Sequence, residues 1–544
     1  MTVTEDAPAA ALASPDPIAT AQTPAGLAAV LGSGDHKVVG RLWIVAALAH
    51  LVLVAAASLY VSAMRLDTGG LADLTDSQGD WFPQIVTYRA IGGAFLVLLP
   101  LTIGLATVIV PLQVGASTLA FPRSAAAAAW AYLIGGGLVI GSYAIDGGPF
   151  GSDRDGVRLF IVALSLVLVA EVVAWISIMT TVFTLRAPGM SLARAPLFAW
   201  SALVAGTVWL LTLPVLAAVL VITYVFVRYG GEDSSEIYAR ISWAFSQPTV
   251  YAFGIPVLGF VGSVVPVFSA TRHHLNRHAR TSITAFGALA IGAWALPGFV
   301  GPSTPWLYEL PWVASSFLIV LPVLALLGLW AITIRKGRVT IASPLLFGAA
   351  SLVMLLVGLL AGAAQAIKPI KTLVDGDGSS LYGTSWTTSV ASYVFLALAI
   401  ALFGALTFWA PKLIGRRLPE GPARGTAVLL LVGTVLWSFP DLASGLLGQG
   451  GDVPGPVTEN QSTIEALNAA SLVGGVLLSV AAIGFIGLMM RAIRSGELPG
   501  DDPWEGHTLE WATSSPPAPG NFATLPEVAS EAPLYDARHQ EASA

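Results

Sequence analysis

The sequence predicts an all-α, polytopic membrane protein. Of its 544 residues, 55% are hydrophobic and only 11% are charged. A soluble domain carries about a quarter charged residues. Mean hydropathy is +0.76, and apolar runs of roughly 20 residues, the length that crosses a bilayer as a helix, recur along most of the chain. A soluble fold of this size has no interior large enough for so much apolar surface.

The elements follow in order. Residues 1–35 are rich in Ala, Pro and Thr, without a basic stretch or apolar run of signal-peptide type, and read as a disordered tail. Residues 36–494 form one membrane domain. Its apolar runs lie at 39–63, 90–115, 125–145, 158–184, 196–228, 242–269, 282–300, 313–334, 342–367, 387–410, 426–447 and 467–490. They give about twelve spans. Gly and Pro inside several of them are tolerated in a lipid-embedded bundle. Residues 495–544 are polar and Pro-rich and read as an extended tail.

Charge sets orientation. With the N-terminus in the cytoplasm, most of the 26 Lys and Arg residues fall in cytoplasmic connections, among them Arg272, Arg277, Arg335, Lys336, Arg416 and Arg417. Asp146, Asp153, Asp155, Glu232 and Asp233 fall outside. The expectation is a multi-pass protein of the cell membrane, both termini cytoplasmic. Trp81, Trp306, Trp312 and Trp386 fit an aromatic belt, and Arg89, near an expected helix start, is expected to snorkel to the outer surface.

Composition also excludes. A net charge of −6 offers no basic surface for nucleic acid, leaving the lipid bilayer as the first partner. With no cysteine, disulfides, thiolate metal sites, iron–sulfur clusters and thiol nucleophiles are ruled out.

Several motifs then occur in a telling order. Asp35-His36-Lys37 precedes the first span. Val110-Pro111-Leu112 and Ala120-Phe121-Pro122-Arg123 surround the end of the second. Arg186-Ala187-Pro188-Gly189-Met190 follows the fourth, and Leu213-Pro214-Val215 lies in the fifth. Phe408-Trp409, Pro411-Lys412 and Leu509-Glu510-Trp511 complete the series. From about residue 35 to 528 the chain resembles subunit I of the haem-copper oxidases, the cytochrome c and quinol oxidase family. The resemblance implies that family's twelve-helix fold. It also implies an activity, the reduction of oxygen to water with electrons from cytochrome c or quinol, coupled to proton pumping. Other respiratory oxidase subunits are the implied partners.

The family binds haem and copper through histidines, imidazole being the ligand suited to both metals. At the matching positions this chain carries other residues. The second span reads Tyr88-Arg89-Ala90 where a histidine is expected. The sixth reads Gln247-Pro248-Thr249-Val250-Tyr251, with Gln247 for a copper histidine, Thr249 for a proton-delivering glutamate, and only Tyr251 retained. The seventh has Leu296 and Pro297 for a histidine pair, and the tenth has Val390 and Ser392. Leu326 stands near the position of a channel lysine, Ser117 or Thr118 at that of a channel aspartate, and no arginine pair for haem propionates is evident around Trp437-Ser438-Phe439-Pro440. The correlated losses predict a catalytically silent paralogue without haem or copper; both are expected only if the family's activity holds. A vacated haem cavity is open to three fates: filling by Phe245, Trp294 or Trp437, or occupation by a lipid or a quinone.

The 7 histidines are His36, His50, His273, His274, His278, His507 and His539. His36 reads as structural. His274 and His278, at i, i+4 if helical, are weak metal candidates in a basic loop. His50 is an intramembrane imidazole, open as an unusual haem ligand in an oxidase that remains active. Glu171, inside the fourth span, is a candidate for a proton or ion pathway, because ionisable groups in a membrane are costly and often functional. Tyr251 and Glu171 are therefore the catalytic candidates.

Overall fold

The computed structural model describes residues 32–70, 81–230, 237–238, 241, 249–273, 275–295, 306–367, 381, 383–451, 457 and 459–541. The expected N-terminal tail lies almost wholly outside them.

The described chain is helical, and eleven of its helices are long and apolar enough to cross a membrane. They are α1 (His36–Met64), α2 (Trp81–Val114), α3 (Pro122–Ala144), α4 (Arg154–Thr184), α5 (Leu197–Tyr229), α6 (Val250–Phe268), α8 (Val313–Lys336), α9 (Ser343–Gln365), α10 (Ser385–Phe408), α11 (Glu420–Leu446) and α12 (Gln461–Ser495). Between α6 and α8 lies α7 (Asn276–Ala295), which ends at the edge of the described residues and occupies the remaining expected span. The twelve-helix architecture is as the sequence predicts.

Local chemistry sets several helix ends. Asp35 caps α1 by accepting from the Lys37 amide, and Asp153 caps α4 by accepting from the amides of Asp155 and Gly156. Gly115, in the left-handed region at φ 74°, closes α2. Several helices begin earlier than expected, α7 at Asn276, α11 at Glu420 and α12 at Gln461, and the largest such difference is at α2. α2 begins at Trp81, not near 90, so Arg89 sits two turns inside the helix. Further along, Gly92–Leu98 is wound as a π-helical segment, a local widening often found beside functional sites.

α2 is the centre of the bundle. Its most apolar stretch is entirely buried. α1, α4, α5 and α10 pack on it, while α3–α4, α4–α5, α5–α6, α6–α9, α9–α10, α10–α11, α11–α12 and α12–α1 are packed neighbours. Where α1 crosses α2, a Cβ on Gly40 would stand 2.7 Å from the Gly104 carbonyl oxygen, and one on Gly104 would stand 2.9 Å from that of Gly40. Paired glycines let the two backbones meet, as small residues do between membrane helices.

The segment after Ser495 folds back onto the bundle. It includes a 3-10 turn at Leu509–Ala512 and a helix at Pro533–Glu541. Trp504, Leu509 and Trp511 are buried. Asn521 accepts from Lys37 Nζ at 3.1 Å and donates to the Ala116 carbonyl at 2.8 Å, so the C-terminal segment and the start of α1 share one end of the bundle. An even number of crossings requires this. Lys412 is buried beneath it, donating to the carbonyls of Asp501 (2.9 Å) and Thr513 (2.6 Å). Burial lowers its ammonium to about 8, against the pull of Asp501 and Glu510.

His507 holds the same segment. Burial, with the positive charge of Arg538 added, lowers its imidazole to about 3. Between pH 3 and the ordinary value of 6.5 the unfolded segment binds more protons than the folded one, so docking weakens as pH falls through that window. Buried Glu510 and half-buried Asp502, both raised by desolvation, act in the opposite sense. The contribution of His507 is thus read as a difference. Limited proteolysis should cut the native C-terminal segment faster at pH 5 than at pH 7.5. His507→Gln should narrow that ratio, and an unchanged ratio would show that His507 does not control docking.

Candidate functional site

A cavity of about 260 Å³ lies between α1, α2, α10, α11 and α12. Its walls are mostly apolar: Leu51, Val54, Val97, Leu98, Phe395, Leu396, Ala399, Leu478 and Ala482. Polar groups gather at Arg89, Thr387, Thr388, Ser392 and Tyr238, with Trp437 beside them. Both Arg89 and Ser392 are positions where the sequence comparison leads one to expect a histidine, and both line this one chamber. The widened π-helical turn of α2 supplies Gly93, Val97 and Leu98 to its wall.

Arg89 is half-buried. Its guanidinium carbon lies 5.9 Å from the centre of the Trp437 ring. Among the described residues no hydrogen bond or ion pair reaches it. It does not snorkel to the surface as expected, because the helix starts further upstream and Arg89 faces the chamber instead. A small polar recess shares Arg89, Thr388, Ser392 and Trp437 with the cavity and adds Arg65 and Asp441. Arg65 is firmly held. It pairs with Asp441 at 2.7 Å, donates to Gln449 Oε1 at 3.2 Å, and its carbonyl accepts from Asn468 at 2.8 Å. This buried pair links the end of α1 to α11.

Serine hydroxyls tie α10 to α11 along the cavity edge. Ser389 donates to the Ser438 carbonyl at 2.6 Å and Ser385 to that of Asp441 at 2.9 Å. Ser392 donates back to Thr388 of its own helix at 2.9 Å. Trp437 shapes one wall but leaves the chamber open.

Val390, two residues from Ser392, belongs to a different neighbourhood. A Cβ on Gly362 of α9 would stand 3.4 Å from Val390 Cγ1 and would collide with the Tyr251 hydroxyl. Val390 and Tyr251 therefore both lie against Gly362 of α9, while Ser392 is on the opposite face of α10. Nearby, Phe253 packs edge-to-face on Trp209 at 4.9 Å and on Phe395 at 4.8 Å. Gln247, Leu296, Pro297 and Phe245 lie outside the described residues, as do the side chains of Thr249 and Trp294. Leu326 is buried and Ser117 and Thr118 are exposed.

Glu171 is fully buried on α4, and neither carboxyl oxygen has a hydrogen-bond partner among the described residues. Tyr132, its electrostatic neighbour on α3, donates to the Leu96 carbonyl at 2.6 Å and stacks on Trp43 at 4.4 Å. His50 lies 6.0 Å from the same ring, with Nδ1 unpaired. Glu171, Tyr132 and His50 form a second polar group, and His50 is not among the cavity's described lining residues.

The loop histidines are partly accounted for. His273 places its ring nitrogens 3.2 Å from Thr333 Oγ1 and 3.0 Å from the Gly262 carbonyl. His278 is exposed, and His274 lies outside the described residues. Among the described residues no cluster of three or more His, Cys, Asp or Glu could hold a metal ion. His36 is 3.1 Å from the Thr107 carbonyl and 3.1 Å from Asn521 Oδ1, a structural role. Sequence reasoning missed the Arg65–Asp441 pair and the inward aim of Arg89. The partners of the pair are 376 residues apart, and only a charged residue inside each apolar end hinted at them.

The sequence model of the family described as Cytochrome C and Quinol oxidase polypeptide I matches residues 38–477. A probable cytochrome c oxidase subunit 1-alpha of Streptomyces coelicolor is 31% identical over 401 residues, covering 72% of this chain and 67% of that protein. A cytochrome c oxidase subunit 1 of Thermostichus vulcanus is 27% identical, covering 68% and 66%. In structure, the chain is similar to a heme-copper terminal oxidase dimer solved by cryo-EM, with a TM-score of 0.62, 14% identity and 84% of each chain covered. That last likeness carries the fold.

The ion pair can be tested directly. Asp441→Ala leaves the Arg65 guanidinium buried without its partner beside Arg89, and should destabilise the bundle by about 3 kcal/mol. Replacing both partners with apolar residues, Arg65→Met with Asp441→Leu, should recover most of the loss. Thermal unfolding in detergent reads both, and equal losses in single and double variants would show that the pair is not what holds this end.

Proposed function

The chain belongs to the cytochrome c and quinol oxidase polypeptide I family, and we propose that it is a catalytically silent paralogue acting as partner of a respiratory complex. The observation that carries this reading is the cavity between α1, α2, α10, α11 and α12. Arg89 and Ser392 occupy it where the resemblance leads one to expect histidines. Haem iron is held by histidine, methionine, cysteine or tyrosine. No histidine, methionine or cysteine is found among the described lining residues. Tyr238 supplies one phenol, packed against Phe150 at 5.7 Å. A guanidinium does not ligate a metal, since it has donors and no acceptor. The residues present thus do not fit a haem held by paired imidazoles, and no step of oxygen reduction is assigned to this chain. Its placement in the cell membrane, with both termini on the cytoplasmic side, is part of the same proposal and rests on the positive-inside bias of its connections.

A second reading is favoured by one observation, the unpaired carboxyl of Glu171 beside Tyr132, whose ring lies 6.0 Å from that of His50. Buried polar groups without protein partners are where water or a transferred proton is accommodated. In this reading the bundle conducts protons or ions and Glu171 lies in the path.

Two measurements separate these readings. A reduced-minus-oxidised visible spectrum of the purified full chain, with metal analysis of the same sample, should be flat and free of copper. Haem bands at stoichiometric level would overturn catalytic silence. In vesicles, a proton flux abolished by Glu171→Gln would establish the conduit, and identical flux in native and variant protein would remove Glu171 from it.

A further inference from the structure

We propose that the cavity binds a membrane amphiphile with a single anionic head, its charge on Arg89 and its hydrocarbon chain along Leu51, Val97, Phe395 and Leu478. The inference rests on the reading that the chamber is not a haem site.

The charge count points to an anion. Arg65 and Arg89 line the same polar recess, and Asp441 is the one carboxylate lining it among the described residues. Asp441 is engaged by Arg65 at 2.7 Å, which leaves one guanidinium over. Arginine keeps its charge in proteins, so Arg89 has no route to neutrality by losing a proton. The ring of Trp437 gives it some electrostatic relief but accepts no conventional hydrogen bond. An isolated charge against apolar walls is unfavourable unless paired. A neutral quinone would fill the space and leave the charge uncompensated.

The walls point to the rest of the ligand. Beyond the recess the lining is almost wholly hydrocarbon, in a chamber of about 260 Å³ set within a membrane bundle. Sites of this kind orient a ligand with a few polar groups and hold it by apolar contact. The fork of a guanidinium matches the paired oxygens of a carboxylate or a phosphate. A fatty-acid carboxylate and a lipid phosphate share this chemistry. Thr388 and Ser392, next to Arg89 in the recess, spend their hydroxyl hydrogens on carbonyls of their own helix, at 3.1 Å and 2.9 Å, so the guanidinium is the donor to the head.

The test uses the full chain in neutral detergent and 9,10-dibromostearate, whose bromines quench nearby tryptophan. Quenching should saturate, and the part due to Trp437 should vanish in Trp437→Phe. The methyl ester of the same acid should bind at least about tenfold more weakly. Arg89→Gln should abolish that preference while the variant stays monodisperse. Displacement of the acid by dioleoyl phosphatidate would assign the head as a lipid phosphate, and failure to displace would assign a free carboxylate. Gly93→Leu offers an independent check. A Cβ there meets only Val54 Cγ1, at 3.9 Å, so the added side chain is accommodated and takes up chamber volume. It should weaken acid and ester alike, and native affinity in that variant would place the ligand elsewhere. Equal affinity for acid and ester, or quenching that never saturates, would overturn the anionic site and leave the haem-free reading standing. A stoichiometric haem band in the same sample would overturn that reading itself.

Discussion

Little water reaches the middle of a bilayer, so every polar group placed there finds its partner within the protein or in something the protein binds. The structure is ordered by that constraint. Backbone groups close on themselves in helices. Thr and Ser hydroxyls return to carbonyls one turn back, as Thr102, Thr181, Thr212 and Thr434 do. Where charge enters, it is matched: Arg65 by Asp441, Lys412 by the carbonyls of Asp501 and Thr513. Arg89 and Glu171 stand apart because the described residues give neither a hydrogen bond nor an ion pair. Among the described residues, single buried polar atoms such as His50 Nδ1 and Trp175 Nε1 share that lack.

The central helix connects these facts. The most apolar stretch of α2 is buried throughout and is gripped by α1 through the Gly40–Gly104 crossing. Its π-helical turn at Gly92–Leu98 interrupts the regular register immediately after Arg89 and opens onto the cavity. Packing on one side therefore fixes the position of the guanidinium on the other. On the far wall, the hydroxyls of Ser385 and Ser389 fasten α10 to α11, and the Arg65–Asp441 pair fastens α11 to the end of α1. The chamber is held by specific polar ties.

Much of the fold was legible in the sequence because hydropathy reports the bilayer directly. Runs of apolar residues marked the helices to within a few residues at most ends. The start of α2 departs from this furthest, with smaller departures at the starts of α7, α11 and α12. Gln84, Thr87 and Arg89 lower the hydropathy of a stretch that is nonetheless helical and mostly buried, since it packs within the bundle where the outer surface is expected. That error turned Arg89 outward on paper. The site was only half legible. That Arg89 and Ser392 stand where the resemblance leads one to expect histidines could be read from motif order, but not that both line one chamber, which depends on the packing of α2, α10, α11 and α12. Nor could the contact between Arg65 and Asp441, 376 residues apart, be read from local pattern. The C-terminal segment shows the same limit. Its prolines and polar residues suggested an extended tail, whereas Trp504, Leu509 and Trp511 anchor it beneath the bundle.

The proposed role of Arg89 is to hold an acidic amphiphile in a chamber of the oxidase subunit fold. Native mass spectrometry of the full chain, released from membranes without added lipid, tests it most directly. The account predicts a retained adduct with the mass of an acidic lipid, present on the native protein and lost from Arg89→Gln. An adduct with the mass of haem would contradict it.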